Sequence, residues 1–397
     1  MQSLISANQK SVTEAKMVEA GTYVPFYGNE ATYPKLGVQF QKISPYITAA
    51  VPHNNSITFK LPAGAGFLYE ASLGFLCTYT IAGDDAIARP IGMNMIRSLE
   101  WLSNGQPISY TTGNALWAKM KTVNNASFQK FSFRYAAMLV PVTEEHAAAA
   151  DTTFQTYCPL PESFLMEIEK ALLLNKINDL QLRVTFNSVA ECGLRTGGGI
   201  TAFTPTLFVQ TYMPELSVYQ QMVESDWSKR LVMQATNTYT EVGTLATVTS
   251  ANYTITCPFL VYKTHIYIRS VIAVANEGLD KGNITSLTMN LNGVTFLDAM
   301  PTSRLISHAS KCGVNNDEVT AADALEFAED HITIDWGILC KRSQNSGTAF
   351  FQELKGTNLA ATFTAVGATA NYRLYVVHEY FNNIAYDNGI LSIDSNN

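Results

Sequence analysis

Period-two alternation of apolar and polar side chains runs through both halves of this chain, and no other feature restricts the fold as much. In SITFKL the residues Ile57, Phe59 and Leu61 share one face, and in LQLRVTF so do Leu180, Leu182, Val184 and Phe186. Successive side chains of a strand point to opposite sides of a sheet, so each stretch reads as a half-buried strand. The pattern returns in NYTITC (252–257), THIYIRSVIAV (264–274), HITIDWGIL (331–339) and NYRLYVVHEYF (371–381). The 19 Tyr and 20 Phe often stand beside Thr, Val and Ile, the residues that suit a pleated surface. The chain is therefore predicted to be all-β, in two strand-rich blocks.

A repeated hairpin ties the blocks together. IRSLEWLSNGQPI (96–108) and ITSLTMNLNGVTF (284–296) align with Asn104 on Asn292 and Gly105 on Gly293, 188 residues apart. Asn-Gly between alternating runs is a strong hairpin signal, because both residues tolerate the positive φ of a type I′ turn. Each hairpin is followed by further strands and then by a closing strand, TPTLFVQTYM in the first block and NYRLYVVHEYF in the second. Blocks of this length accommodate eight short strands each, which predicts two tandem eight-stranded sandwiches.

Two segments depart from the strand pattern. Residues 2–20 place Leu4, Ala7, Ser11, Ala15 and Val18 on one weakly apolar helical face, beside Lys10, Glu14, Lys16 and Glu19. PESFLMEIEKALLLNK (161–176) puts Phe164, Leu165, Ile168, Ala171 and Leu172 on one face, with Pro161 and Glu162 at its start, which predicts a helix between two strands. MPELSVYQQMVESDWSKR (213–230) is polar and lies between the blocks, so the boundary is placed there. The expected units are an arm (1–24), a first sandwich (25–224) and a second (225–397).

The passage TYCPLPESFLMEIEKALLLNKINDLQLRVTF (156–186), the closing RLYVVHEYF (373–381) and the paired hairpins resemble the double jelly-roll major capsid proteins of lipid-containing icosahedral bacteriophages, of the tectivirus type. The resemblance implies an all-β double jelly roll with a short N-terminal helical arm and a helix inserted in the first jelly roll. It implies a structural virion protein, not an enzyme. Homotrimers would form pseudo-hexagonal capsomers of an icosahedral shell over an internal membrane. Partners would be neighbouring capsomers, penton and minor capsid proteins, and lipid touched by the arm through Leu4, Ile5, Lys10 and Lys16. Synthesis is expected in the host cytoplasm, since the N-terminus shows no signal-peptide pattern.

Other chemistries find little support in the sequence. The net charge of −7 and the lack of basic blocks interleaved with aromatics argue against direct nucleic-acid binding. Cys77, Cys158, Cys192, Cys257, Cys312 and Cys340 form no Cys-x-x-Cys pair and are expected to be free core thiols. No phosphate-binding loop, nucleophile elbow or His-Glu-x-x-His helix occurs, and no cofactor is expected. Two alternatives to the capsid reading stay open: a carbohydrate- or receptor-binding β-sandwich, and a metal-dependent bicupin. The second is disfavoured by the wide spacing of His53, His146, His265, His308, His331 and His378. The acidic clusters Glu144, Glu145, His146 and Glu326, Glu329, Asp330, His331 read as solvated charge.

Overall fold

The computed structural model describes residues 37–46, 52–63, 66–80, 91–120, 152–160, 162–166, 171–188, 191–192, 199–213, 220, 231–245, 250–270, 281–305, 331–336, 348–351, 357–364 and 372–393. In the first half, β1 (Gly37–Ile43), β9 (Gly199–Met213), β3 (Phe67–Thr80) and β6 (Thr152–Pro159) form one antiparallel sheet in that order. The sheet opposite runs β2 (Ser56–Lys60), β8 (Leu180–Phe186), β4 (Ile96–Ser103), β5 (Gln106–Thr112). The inward residues of the two sheets interlock, with the Phe186 ring 5.9 Å from Phe75 and 4.9 Å from Phe203. Those edge-to-face contacts join β8 to β3 and β9 across the sandwich.

The second half repeats this wiring. Its first sheet runs β10 (Leu231–Thr244), β18 (Tyr372–Asp387), β12 (Leu260–Ser270), with β15 (His331–Asp335) paired to β12. Its second runs β11 (Ser250–Thr254), β17 (Asn358–Thr364), β13 (Lys281–Leu291), with β14 (Val294–Pro301) paired to β13. Numbered from the start of each sandwich, with the added short strands left out, both halves read 1-8-3-6 against 2-7-4-5. That is the jelly-roll order, and it occurs twice. A short β12–β13 ladder at Ile268 and Arg269 joins the two sheets of the second roll.

The quoted hairpins occupy equivalent places, β4–β5 in one roll and β13–β14 in the other. Asn104 and Gly105 have φ of +47° and +78°, and Asn292 and Gly293 have +49° and +78°. Both pairs thus lie in the left-handed region that a type I′ turn uses.

The helix expected over 161–176 needs correction. Among the described residues helix α3 covers Ser163–Met166, while α1 (Ile91–Asn94) and α2 (Gly113–Met120) are the others with assigned ranges. Leu172–Leu173 instead forms a two-residue strand, β7, paired with Phe67 and Leu68 of β3, and a 3-10 turn follows over Leu174–Lys176. Leu172, Leu173 and Leu174 are all buried. A one-sided surface helix would have left part of that Leu run in water, whereas docking on the β3 edge covers all three and uses their backbone groups.

Two glycines separate strain from steric conflict. A Cβ on Gly105 would meet nothing within 4 Å, so Gly105→Ala carries only the left-handed penalty of about 1–2 kcal/mol. A Cβ on Gly113 would lie 2.2 Å from the Ile96 carbonyl oxygen and 2.4 Å from that of Met93. Gly113→Ala is expected to destabilise the protein well beyond Gly105→Ala in urea unfolding; equal midpoints would contradict this packing.

Candidate functional site

The two rolls meet along a buried seam, where the fifth strand of the first roll abuts the first strand of the second. Thr111 and Thr238 share a hydroxyl hydrogen bond of 2.6 Å, Thr112 and Thr240 one of 3.2 Å, and the Tyr110 amide donates to Asn237 Oδ1 at 3.3 Å. Further along, Tyr267 donates its hydroxyl to the Asn114 carbonyl at 3.1 Å, and Arg269 donates to the side chains of Asn114 and Asn94. One sheet of the second roll is therefore covered on both faces. Ile266, Ile268, Leu374 and Val376 look into its own core, while Tyr267, Tyr375 and Val377 belong to the core of the first roll.

A C-terminal clasp closes the seam. After β18 the chain turns through Asn388 and Gly389, with φ of +48° and +86°, into β19 (Ile390–Ile393). Asn178 donates its amide to the Gly389 carbonyl at 2.9 Å, and the Leu391 amide donates to Ser103 Oγ at 2.9 Å. Ile384, Tyr386 and Leu391 enter the first roll's core. This third Asn-Gly pair escaped the sequence reading, which ended its last strand at residue 381; the same dipeptide rule would have found it.

Charged groups are buried at the seam and each has a partner. His265 and Glu379 lie 2.7 Å apart on β12 and β18, Tyr262 donates its hydroxyl to the other Glu379 oxygen, and Lys263 is buried beside them. From the first roll, Lys119 of α2 reaches Glu162 at 3.6 Å, and Ser109 donates to the same carboxylate at 3.0 Å. Burial by itself raises the Glu379 carboxyl, but the His265 hydrogen bond and the charges of His265, Lys263 and Lys119 outweigh it and hold it well below the ordinary range. Glu162, at the start of the expected helix, is thus a buried ion-pair partner.

On the opposite face of the same sheet lies a directed hydrogen-bond chain. Trp336 Nε1 donates to Thr264 Oγ1 at 2.9 Å, Thr264 Oγ1 pairs with His378 Nδ1 at 3.0 Å, and His378 Nε2 pairs with Glu241 Oε2 at 3.0 Å. The Thr256 amide and hydroxyl donate to the other Glu241 oxygen. Burial lowers the His378 basicity despite the carboxylate, so the ring is neutral, with Nε2–H donating to Glu241 and Nδ1 accepting. Burial raises the Glu241 carboxyl, but the hydrogen bonds from His378 and Thr256 outweigh this and hold it below the ordinary range.

These contacts bear on metal binding. His265 and His378 stand on neighbouring strands but on opposite faces of the sheet, and both ring nitrogens of each are engaged. Among the described residues no group of three or more His, Cys, Asp or Glu could hold a metal ion. His53 donates from Nδ1 to the Asn187 carbonyl at 3.1 Å. Cys77, Cys158, Cys192 and Cys257 are free and buried, and burial pushes the Cys77, Cys192 and Cys257 thiols up to about 12. Leu4, Ile5, Lys10, Lys16, His146, His308, Cys312, Cys340 and both acidic clusters except His331 lie outside the described residues.

The rims carry exposed apolar side chains. On β1, an edge strand, Val38 is 50% and Phe40 78% exposed; on β14, Val294 is 69% and Phe296 50% exposed. Phe296 rests one face on Trp336, ring centroids 5.5 Å apart.

No protein-family model matches the chain, and no curated protein matches it. Solved structures do. VP54 of the virus PBCV-1, as fitted into a cryo-EM reconstruction of the virophage Sputnik, superimposes with a TM-score of 0.69 at 12% identity, over 92% of this chain and 98% of that one. The Faustovirus major capsid protein gives 0.59 at 9% identity over 99% of each chain. The mavirus major capsid protein gives 0.55 at 12% identity, over 89% of this chain and 90% of its own. At such identities the likeness concerns the fold: the chain is a double jelly roll, similar over nearly its whole length to these capsid proteins.

The buried pairs on the two faces of this sheet predict acid lability. His378 is depressed below its ordinary 6.5, so the unfolded chain takes up that proton first and stability falls as the pH drops below about 6.5. Glu241 and Glu379 are depressed below 4.5, so their contribution is present above that value and lost as the pH falls through their folded values. Melting temperatures should decline from pH 7 to 5.5 and more steeply towards pH 4. At neutral pH, Glu379→Ala should cost about 3–5 kcal/mol by stranding its buried cations. Unchanged melting of that variant would contradict the buried pairing.

Proposed function

We propose that this chain is the major capsid subunit of an icosahedral virus. The observation that carries the reading is the duplicated jelly roll locked by a buried seam, which makes one broad, stiff block of two upright sandwiches. Tiling a shell requires such a block, because a subunit that flexes between its halves cannot hold a fixed lateral register. The solved double jelly rolls it resembles are named as major capsid proteins of Faustovirus and mavirus.

In this reading residues 25–224 and 225–397 are the two rolls and residues 1–24 an arm. Three copies close into a pseudo-hexagonal capsomer, which meets neighbouring capsomers, penton and minor capsid proteins. The arm, with Leu4, Ile5, Lys10 and Lys16, faces the internal membrane or an adjacent capsomer. The tectivirus type of bacteriophages is the narrowest form of the proposal and rests on the sequence resemblance.

Mass measurement in solution is expected to give about three times the 43.6 kDa chain mass. A strict monomer at every concentration would sink the proposal. Deleting residues 2–20 should leave that oligomer intact and impair shell formation; normal particles from the truncated chain would remove the arm from the account.

A further inference from the structure

Three Asn-Gly pairs occur in the sequence, at 104–105, 292–293 and 388–389, and all three form hairpin tips. Their backbones are nearly identical. The Asn φ angles are +47°, +49° and +48°, the Gly φ angles +78°, +78° and +86°, and each Asn is exposed. Asn-Gly is also a reactive pair, because glycine has no side chain to keep its backbone nitrogen away from Cγ of the Asn. Closing the ring between those atoms aligns the Gly nitrogen with the Asn Cβ, which a type I′ turn does not do, so a tip has to open before it reacts. Tips of one chemistry and one conformation therefore differ in what restrains their opening.

The restraints are unequal. At the clasp, Asn388 donates its side-chain amide to Asp387 at 2.8 Å, and the Asn178 backbone amide donates to the Gly389 carbonyl at 2.9 Å. Asn178 also fills the space beside Gly389, where a Cβ would lie 2.7 Å from Asn178 Nδ2. Two residues on, Leu391 is buried and bonded to Ser103. The first-roll tip is held on one side: the Asn104 amide donates to the Asp179 carbonyl at 3.0 Å, and Ser103 just before it is buried. The third tip differs. Among the described residues no other element donates a backbone hydrogen bond to Asn292 or Gly293, and a Cβ on Gly293 would meet nothing within 4 Å. Val294, Thr295 and Phe296 after it are exposed, and the ladder beneath shifts register on both sides of Met289.

We propose that Asn292 is a site of spontaneous modification, converted to aspartate and isoaspartate through a cyclic imide with Gly293, while tertiary contacts protect Asn104 in part and Asn388 most. The Gly293 backbone nitrogen gives up its proton and bonds to Asn292 Cγ, and Nδ2 leaves as ammonia. One water then opens the five-membered imide at either carbonyl. The net change is hydrolysis of a side-chain amide to a carboxylate and ammonium. The isoaspartate product routes the chain through the former side chain and adds one backbone atom to a two-residue turn, whose length fixes the β13–β14 register. Both products place a negative charge at the tip. The inference concerns the folded chain alone, so its failure would leave the capsid reading untouched.

Time-resolved mapping of full-length protein tests it. The protein is held in mildly alkaline buffer, sampled, digested and read by mass spectrometry, with isoaspartate methyltransferase labelling to identify the rearranged product. In the native protein, conversion at Asn292 is expected to run at least about ten-fold faster than at Asn388, with Asn104 between them. In guanidinium chloride the tethers are gone, and the three rates should draw together. Equal native rates at the three sites, or a slower rate at Asn292 than at either other, would overturn the proposal. So would a native chain in which Asn292 keeps its amide while the denatured chain loses it. A spread of rates that persists unchanged in denaturant would overturn it as well, by tracing the order to local sequence rather than to the fold.

Discussion

The structure depends on a sheet that is packed on both faces. β10, β18 and β12 present one side to the core of the second roll and the other to the first, so residues that would be outward-facing in a lone sandwich are buried. A sheet enclosed on both sides must satisfy every polar group it carries. The consecutive residues His378 and Glu379 show how: the first pairs with Glu241 on the side of the second roll, and the second pairs with His265 at the seam. Both pairs lie within the second roll, and pairing makes the burial of these charges tolerable. The seam therefore behaves as part of the core rather than as a contact between two independent domains.

Duplication explains the architecture, and the two rolls depart from exact symmetry at their edges. Both rolls have the same strand order, and equivalent strands carry the two Asn-Gly hairpins. Their surroundings differ. β5 is closed off by β10 and by the clasp of β19, whereas β14 is largely exposed along its length. Among the described residues the clasp belongs to the second roll alone; it follows β18 and reaches back to Ser103 and Asn178. A repeat that covers one of two equivalent edges and leaves the other exposed is not symmetric about the seam.

Much of the fold was legible in the residues. The alternation at Ile57, Phe59 and Leu61, and again at Leu180, Leu182, Val184 and Phe186, placed β2 and β8 and named their inward faces, since a period of two has one meaning in a sheet. The end of the segment 161–176, over 172–176, was misread because an amphipathic stripe and a Leu-rich sheet-edge segment produce overlapping patterns. Only the presence of a free β3 edge decides between them. The buried charge pairs were not legible at all: Lys119, Glu162, Glu241, His265, His378 and Glu379 are scattered over 261 residues, and nothing local distinguishes a buried ion pair from a surface charge.

What the sequence determined by itself was the vocabulary: strands from alternation, turns from Asn-Gly, and two matching blocks from the spacing of the hairpins. These are local properties, governed by backbone sterics and by the pleat, and they hold wherever the segments end up. Tertiary structure alone decided which faces lie against which. KTHIYIRS reads as a strand with one wet side, yet Lys263, His265 and Tyr267 are buried because a separate roll lies over them. Burial of that second face is a long-range event, set by how two sandwiches dock, and no window of the sequence contains it.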